Sequence, residues 1–386
     1  LDKKDYNRSI LNMISKKKCF FFNNFNTTLS DRKTIIDSKN YNSEWDKMKK
    51  IANPFELIYT TYSKKKRKES IANYQPISRS FFKFWEMNVK FNLIDLDLNE
   101  HYVANLAEGP GGFMEAIIKQ YYHKNIKLFG LTLPPHNKYI PDWSKIKHIF
   151  TNKVMYISYG DLYKWNDIEK YIDNFKNKKC SLVTADGGFD YSNNFNGQEI
   201  DSYKILFSEI FVSFLILLKG GNFVCKFFDL FSIFSIKLIF ILTKCFEQVN
   251  IYKPETSRPA NSEKYLICKG FIGLTKDMKN KIIELFKKIE SIPITKCMVL
   301  DIKGINFNND FIHKINDMNS KYLDNQIFFI NKIVDYIDEN QNNKLLINNN
   351  KIVLSQVKNA IEWCKRNKMK VNKDSEYFIK YNTKLL

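Results

Sequence analysis

This sequence predicts an α/β protein built on a mostly parallel sheet with helices on both faces, and three observations carry that prediction. From residue 78 to about residue 270, short apolar runs alternate with longer stretches of helical period. A glycine-rich turn, Gly109 to Gly112 in "NLAEGPGGF", follows the first of these runs directly. Two late runs, Val249 to Lys253 and Tyr265 to Lys269, read as a closing strand pair that gives the sheet an antiparallel edge. Helical extensions are expected at both ends.

In chain order, residues 1–77 mix basic clusters ("SKKKCFFF", "KKKRKE") with short apolar stretches, of which "IANPFELIYTTY" reads as ordered. Phe82, Trp85 and Val89 recur at helical spacing within "SRSFFKFWEMNVKFNLI", which predicts a helix. Val103 to Leu106 is a short strand, Phe113 to Tyr122 a helix, and Lys127 to Leu131 a second strand. Val154 to Ser158 and Ser181 to Ala185 are further strands, and Glu199 to Leu218 is a long helix. Asn222 to Phe227 is a strand and Ile233 to Cys245 a helix. From about residue 275 the chain is lysine-rich and helical in period, with the asparagine tract "NQNNKLLINNN" expected to be a loop. Three regions follow: 1–77, 78–274 and 275–386.

Composition narrows the function. The 386 residues, 44% hydrophobic and 15% aromatic, support a real core. A net charge of +20 favours a polyanionic partner, although lysine and asparagine abound along the whole chain. The seven cysteines, Cys19, Cys180, Cys225, Cys245, Cys268, Cys297 and Cys364, contain no C-x-x-C pair. That argues against a zinc site or a disulfide framework and suits a reducing, intracellular setting, with no metal expected. The most apolar runs are interrupted by Lys219, Lys237 and Lys244, which argues against a membrane span, and no secretory signal is visible in a chain that begins at Leu1.

The glycine turn does not fit a phosphate ligand. A dinucleotide fingerprint starting at Gly109 needs glycine at position 114, which is Met114, and no G-K-[ST] triplet follows. A tight strand-to-helix turn, or a nucleotide-like ligand with few phosphates or none, remains. Four charged residues sit where an α/β site belongs; open sheets bind ligands at the carboxyl ends of their strands, and the Gly109 turn and Asp186 lie at such ends. Lys83 lies in the helix before the first strand, and Asp186 ends the fourth strand in "VTADGG". Lys226 shares one face of an apolar strand with Asn222 and Val224, and Glu263 begins "SEKYLICKG". A lysine inside "FVCKFFDLF" is costly to bury unpaired, so Asp186 or Glu263 is its expected partner. Arg258, Asn261 and Gln198 lie near the same edge, and arginine suits a phosphate oxygen.

Together these stretches resemble the FtsJ-like (RrmJ-type) RNA ribose 2'-O-methyltransferases, and most closely their cap-specific mRNA branch. The resemblance runs over roughly residues 50–275 through "ANPFE", "SRSFFK", "GPGGF" with "FGLTL", "ADGGF", "GGNFVCKFFDLF" and "KPETSRPANSEKYLICKG". It implies a Rossmann-like fold that uses S-adenosyl-L-methionine, with a Lys-Asp-Lys-Glu tetrad on Lys83, Asp186, Lys226 and Glu263. In that reading Lys226 is the base and Lys83 positions the 2'-oxygen. A base role needs the lysine pKa to fall well below about 10.4, through Lys83, the sulfonium and desolvation. The cofactor residues implied are Ser78, Ala107, Glu108, Gly109, Pro110, Gly111, Gly112, Phe113, Asp161 and Asp186, with a helix N-cap as the rival role for Asp161. For RNA, the resemblance adds "RKTIID", with Lys33 and Asp37, and Lys49 to Arg258, Asn261 and Gln198.

The implied partner is the capped mRNA 5' end, with RNA polymerase or other capping enzymes beside it. The location would be nuclear in a cell and cytoplasmic for a virus. Rival readings are a methyltransferase of ribosomal or transfer RNA and a non-catalytic RNA-binding subunit. Three departures stand out. Asn105 replaces the aspartate common in the family, Glu108 is an odd charge inside the turn, and no acidic residue ends "FGLTL".

Overall fold

The computed structural model describes residues 21–38, 42–60, 68–134, 143–144, 146, 154–188, 197–291, 305–343 and 350–381. Seven strands form one sheet: β1 His101–Leu106, β2 Ile126–Thr132, β3 Val154–Tyr159, β4 Cys180–Ala185, β5 Leu217–Phe227, β6 Phe246–Tyr252 and β7 Lys264–Phe271. Their order is β3-β2-β1-β4-β5-β7-β6, parallel from β3 through β5, with β7 antiparallel to both of its neighbours. This is the Rossmann-like arrangement expected, closing pair included. The order reverses between β1 and β4, and the crevice above such a point is where open α/β sheets bind ligands.

The helices are α1 Asn23–Ser38, α2 Asn42–Ile51, α3 Ser80–Phe91, α4 Gly112–Gln120, α5 Trp165–Ile172, α6 Gln198–Ile216, α7 Ile233–Cys245, α8 Lys276–Glu290, α9 Asn309–Asn343, α10 Asn350–Arg366 and α11 Glu376–Tyr381. Strand alternation sorts them onto two faces. Val103, Leu128, Leu182, Val224, Tyr265 and Ile267 meet α3, α4 and α10 on one side. Ala104, Phe129, Val183, Phe223, Cys225 and Leu266 meet α5 to α9 on the other. Local chemistry sets the ends of several helices. Asn92 takes the left-handed conformation (φ 49°) that closes α3. Ser232 and Thr275 accept the Ser235 and Met278 N–H groups to open α7 and α8.

Two boundaries differ from the sequence reading. β5 begins at Leu217, immediately after α6, where the helix was expected to run on to Leu218 and the strand to start at Asn222. Gly220, at φ 84°, lets the strand absorb extra residues, and the pairing shifts register between Cys180–Leu217 and Leu182–Asn222. In the asparagine tract α9 continues through Asn343 and α10 starts at Asn350; residues 344–349 of the expected loop lie outside the described residues. Among the described residues no helix is long and apolar enough to cross a membrane.

Candidate active site

The glycine turn sits at the carboxyl end of β1, where the chain leaves the sheet. Ala107 (φ 52°) and Gly111 (φ 106°) both adopt left-handed backbone, and Ala107 N–H donates to Leu131 O on β2 (2.8 Å). Gly112 serves packing. A Cβ there would overlap the hydroxyls of Ser78 and Ser80 and approach the Phe81 backbone nitrogen to 2.9 Å. The Ser78 and Ser80 hydroxyls themselves lie 2.5 Å apart. Phe113 is fully buried against Phe84 and Tyr265, supporting the turn from beneath.

Glu108 is not a charge presented by the turn. Its side chain is buried and bonds to Thr184 Oγ1, while Asn105 Nδ2 donates to it at 3.1 Å. Burial pushes its carboxyl well above the usual range, with Asp186 and Glu209 adding to the effect. Asn105 also donates to Thr184 Oγ1 (2.8 Å), and its own Oδ1 is buried without a partner.

Two ion pairs stand above the carboxyl ends of β4 and β5. Lys226 Nζ lies 3.3 Å from Asp186 Oδ1 and donates to Asp186 O at 2.8 Å. Lys83 Nζ, from α3, lies 2.7 and 2.9 Å from the two oxygens of Glu263. Burial works to raise the Glu263 pKa, and the ammoniums of Lys83 and Lys226 outweigh it, holding the carboxyl at about 2. The four residues therefore form one electrostatic unit.

Neighbouring groups fix its geometry. Tyr265 Oη donates to Asp186 Oδ1 (2.9 Å), and Ser257 Oγ donates to Glu263 Oε1 (2.9 Å). Gly188 leaves room for the lysine, since a Cβ there would come within 2.9 Å of Lys226 Nζ. Beneath the pair, Glu209 of α6 is fully buried and accepts the Gly187 N–H at 3.0 Å.

Burial lowers the Lys226 pKa, but Asp186, Glu263 and Glu209 outweigh it, and the protein by itself holds Lys226 above its ordinary value.

Asp161 follows β3, and its Oδ1 accepts the Tyr163 N–H (2.8 Å) in a side-chain-closed turn. The N-cap of α5 is Lys164, which makes no side-chain cap bond, so the capping role considered for Asp161 does not hold.

The residues expected at RNA are brought together in part. Arg258 makes a two-pronged bond to Glu56 of "ANPFE" (3.0 and 3.2 Å), and Arg79 of "SRSFFK" shares that carboxylate at 3.3 Å. Lys49 pairs with Asp46 on its own helix, and Asp46 also feels Arg258, so these two expected contacts flank one acid. Lys33 lies in the electrostatic neighbourhood of Asp229 and Lys264 instead, and burial lowers its pKa. Asn261 is exposed in the turn after Arg258, and Gln198 is the first, half-buried residue of α6. The side chain of Asp37 lies outside the described residues.

With this geometry in place, the comparisons with known proteins decide the lineage. The FtsJ-like methyltransferase family matches residues 76–271, just over half of the chain. The chain belongs to the FtsJ-like methyltransferase family.

It is 31% identical over 306 residues to cap-specific mRNA (nucleoside-2'-O-)-methyltransferase 1 of Mus musculus, covering 75% of this chain and 36% of that protein. To the corresponding enzyme 1A of Caenorhabditis briggsae it is 30% identical over 336 residues, covering 78% and 38%. The chain thus spans little more than a third of the length of these curated relatives. Among solved structures it is similar to a ribosomal RNA methyltransferase of Plasmodium falciparum, with a TM-score of 0.39 at 20% identity, over 51% of this chain and 99% of that one.

Membership brings S-adenosyl-L-methionine as methyl donor, and the residues present fit it. The unpaired Asn105 oxygen beneath the turn is an acceptor, which suits a cationic ligand group and not a phosphate. Sequence reasoning missed Tyr265, Ser257, Glu209, Arg79 and Glu56. All but Glu209 lie inside stretches quoted above, so a closer reading had a signal for those four.

Proposed function

We propose that this chain methylates the ribose 2'-oxygen of the first transcribed nucleotide of capped mRNA. The observation that carries the reading is the Arg258–Glu56 bond. It ties the "TSRPANSE" turn to the "ANPFE" segment, the two stretches that separate the cap branch from the ribosomal and transfer RNA branch. Residues 1–77 then contribute to the cap and RNA surface, 78–274 form the catalytic core, and 275–386 brace both. The naming of the relatives as cap-specific enzymes supports the same substrate.

S-adenosyl-L-methionine, when bound, supplies an electrophilic methyl carbon on a sulfonium. Ala107 to Phe113, with Ser78 and Asp161, would hold it beside Asp186. Lys83 would orient the ribose 2'-hydroxyl toward the methyl group that the donor supplies. The hydroxyl proton passes to Lys226 Nζ, provided that lysine is neutral when substrate is in place. The sulfonium charge and loss of water on RNA binding act in that direction, against the carboxylates that raise the Lys226 pKa in the protein alone. Asp186 and Glu263 keep both ammonium carriers in position. Lys33, Asp37, Lys49, Gln198, Arg258 and Asn261 would line the RNA path.

The test compares two RNAs of one sequence, with and without a 5' N7-methylguanosine cap. Efficient methyl transfer only to the capped RNA is expected. Equal rates on both would favour the ribosomal or transfer RNA reading.

A further inference from the structure

The turn from Ser257 to Glu263 carries Arg258, Asn261 and the carboxylate that pairs with Lys83, yet it belongs to no helix or strand. Besides two backbone bonds, Ser257 N–H to Pro254 O and Asn261 N–H to Arg258 O, side chains hold it. Ala260 O accepts from Gln326 Nε2 (3.1 Å), and Asn261 O accepts from Lys253 Nζ (2.5 Å). Ser262 O accepts from Lys264 Nζ (2.7 Å), and Glu263 O accepts from Lys253 Nζ (2.9 Å). Four consecutive carbonyls are each met by a side-chain donor. Lys264 is itself buried and paired with Asp229 at 3.0 Å. Gln326 is buried too, and its Nε2 also reaches Ser262 Oγ at 3.1 Å.

Gln326 comes from α9, beyond the 76–271 stretch that the family matches. It is one of three donors on one face of that helix. Asn319 Nδ2 donates to Leu230 O (2.8 Å), Tyr322 Oη to Ile251 O (3.2 Å), and Gln326 to Ala260 O. Spacings of three and four residues stack them along a single stripe. Each reaches a backbone carbonyl of the core's final strands and loops. Apolar packing alone would bury α9, whereas this stripe also fixes its register against the core.

We infer that Gln326 is a positioning residue for Glu263 and Arg258, so that the C-terminal helix α9 completes the active site from outside the catalytic core. This rests on the proposed reading of Glu263 as part of the transfer site. A misplaced turn would move the Lys83–Glu263 pair and the Arg258 side chain together while leaving the "GPGGF" turn untouched. The expected signature is therefore selective for RNA and turnover over cofactor binding.

The test uses the full chain with Gln326→Met, and Ile330→Ala as a control that loosens the same helix in its apolar core. In Gln326→Met, amide hydrogen exchange should quicken across 257–263 and not across 105–113. Turnover on capped RNA should fall by about 10–100-fold, with cofactor affinity within about twofold of wild type. Ile330→Ala, assayed below its melting temperature, should keep near wild-type turnover. Unchanged exchange at 257–263 in Gln326→Met would overturn the inference, as would equal losses of turnover in both variants. If the wild-type chain transfers no methyl group to RNA, the proposed function fails instead, and the exchange measurement alone then decides the role of Gln326.

Discussion

Glu209 illustrates how one buried residue sets the behaviour of the site. It lies on α6 with no exposure, bonded to the Gly187 N–H and beside Cys225, whose thiol donates to it at 3.4 Å. Burial, only partly offset by Lys226, raises its pKa to about 8. The folded chain therefore keeps a proton that an unfolded glutamate releases near pH 4.3. This contribution to stability is complete below that value and is lost as pH rises through about 8. Glu199, raised to about 7 by burial, acts in the same direction. Lys253, lowered to about 7 chiefly by burial, acts oppositely above that pH. Denaturant melts of Glu209→Gln and wild type at about pH 5 and about pH 8 should show a smaller loss of stability with rising pH in the variant. Equal losses would mean that Glu209 titrates normally. No pattern in the sequence marks this residue, because α6 is buried nearly all round and a polar face never declares itself.

At the scale of elements, the turn between β1 and α4 is constrained from below as much as from above. Gly112 abuts the first turn of α3, so helix–helix packing requires the missing Cβ independently of any ligand. Gly112→Ala should destabilise the chain by about 1–3 kcal/mol, measured by denaturant unfolding, because the Phe81 backbone cannot rotate away as a hydroxyl can. A change under about 0.5 kcal/mol would show that α3 yields easily. The strands were legible because their alternation is clean: Asn222, Val224 and Lys226 face one way, and Phe223 and Cys225 the other. Lys83, Asp186, Lys226 and Glu263 were legible as four positions, and the pairing is Lys226 with Asp186 and Lys83 with Glu263. The raised Lys226 pKa was not legible, since it sums the fields of Asp186, Glu263 and Glu209, and no pattern in the sequence places Glu209 beside the lysine. Nor was the start of β5 at Leu217, where "LLK" carries helical and extended preferences alike and pairing with Cys180 decides.

The whole molecule joins a core that carries the family resemblance to flanking segments that pack against the Lys83 helix and the Arg258 turn. Trp363 of α10 donates to the buried Glu86 of α3 (2.8 Å), and Gln356 donates to Asn53 O (2.8 Å) just ahead of Glu56. The C-terminal helices thus hold both the helix that carries Lys83 and the segment that holds Arg258. A net charge of +20 favours any polyanion, so RNA affinity and its salt dependence would not discriminate among the proposed substrates. The position of the transferred methyl group does. The most direct measurement is mass spectrometric mapping of that group on a short capped RNA, using wild-type chain and Lys226→Ala side by side with cofactor binding monitored in both. The expected result is a single methyl on the 2'-oxygen of the first transcribed nucleotide with wild type, and none with a Lys226→Ala chain that still binds S-adenosyl-L-methionine. A methyl group on a base or an internal ribose, or one still delivered at wild-type rate by Lys226→Ala, would contradict the account.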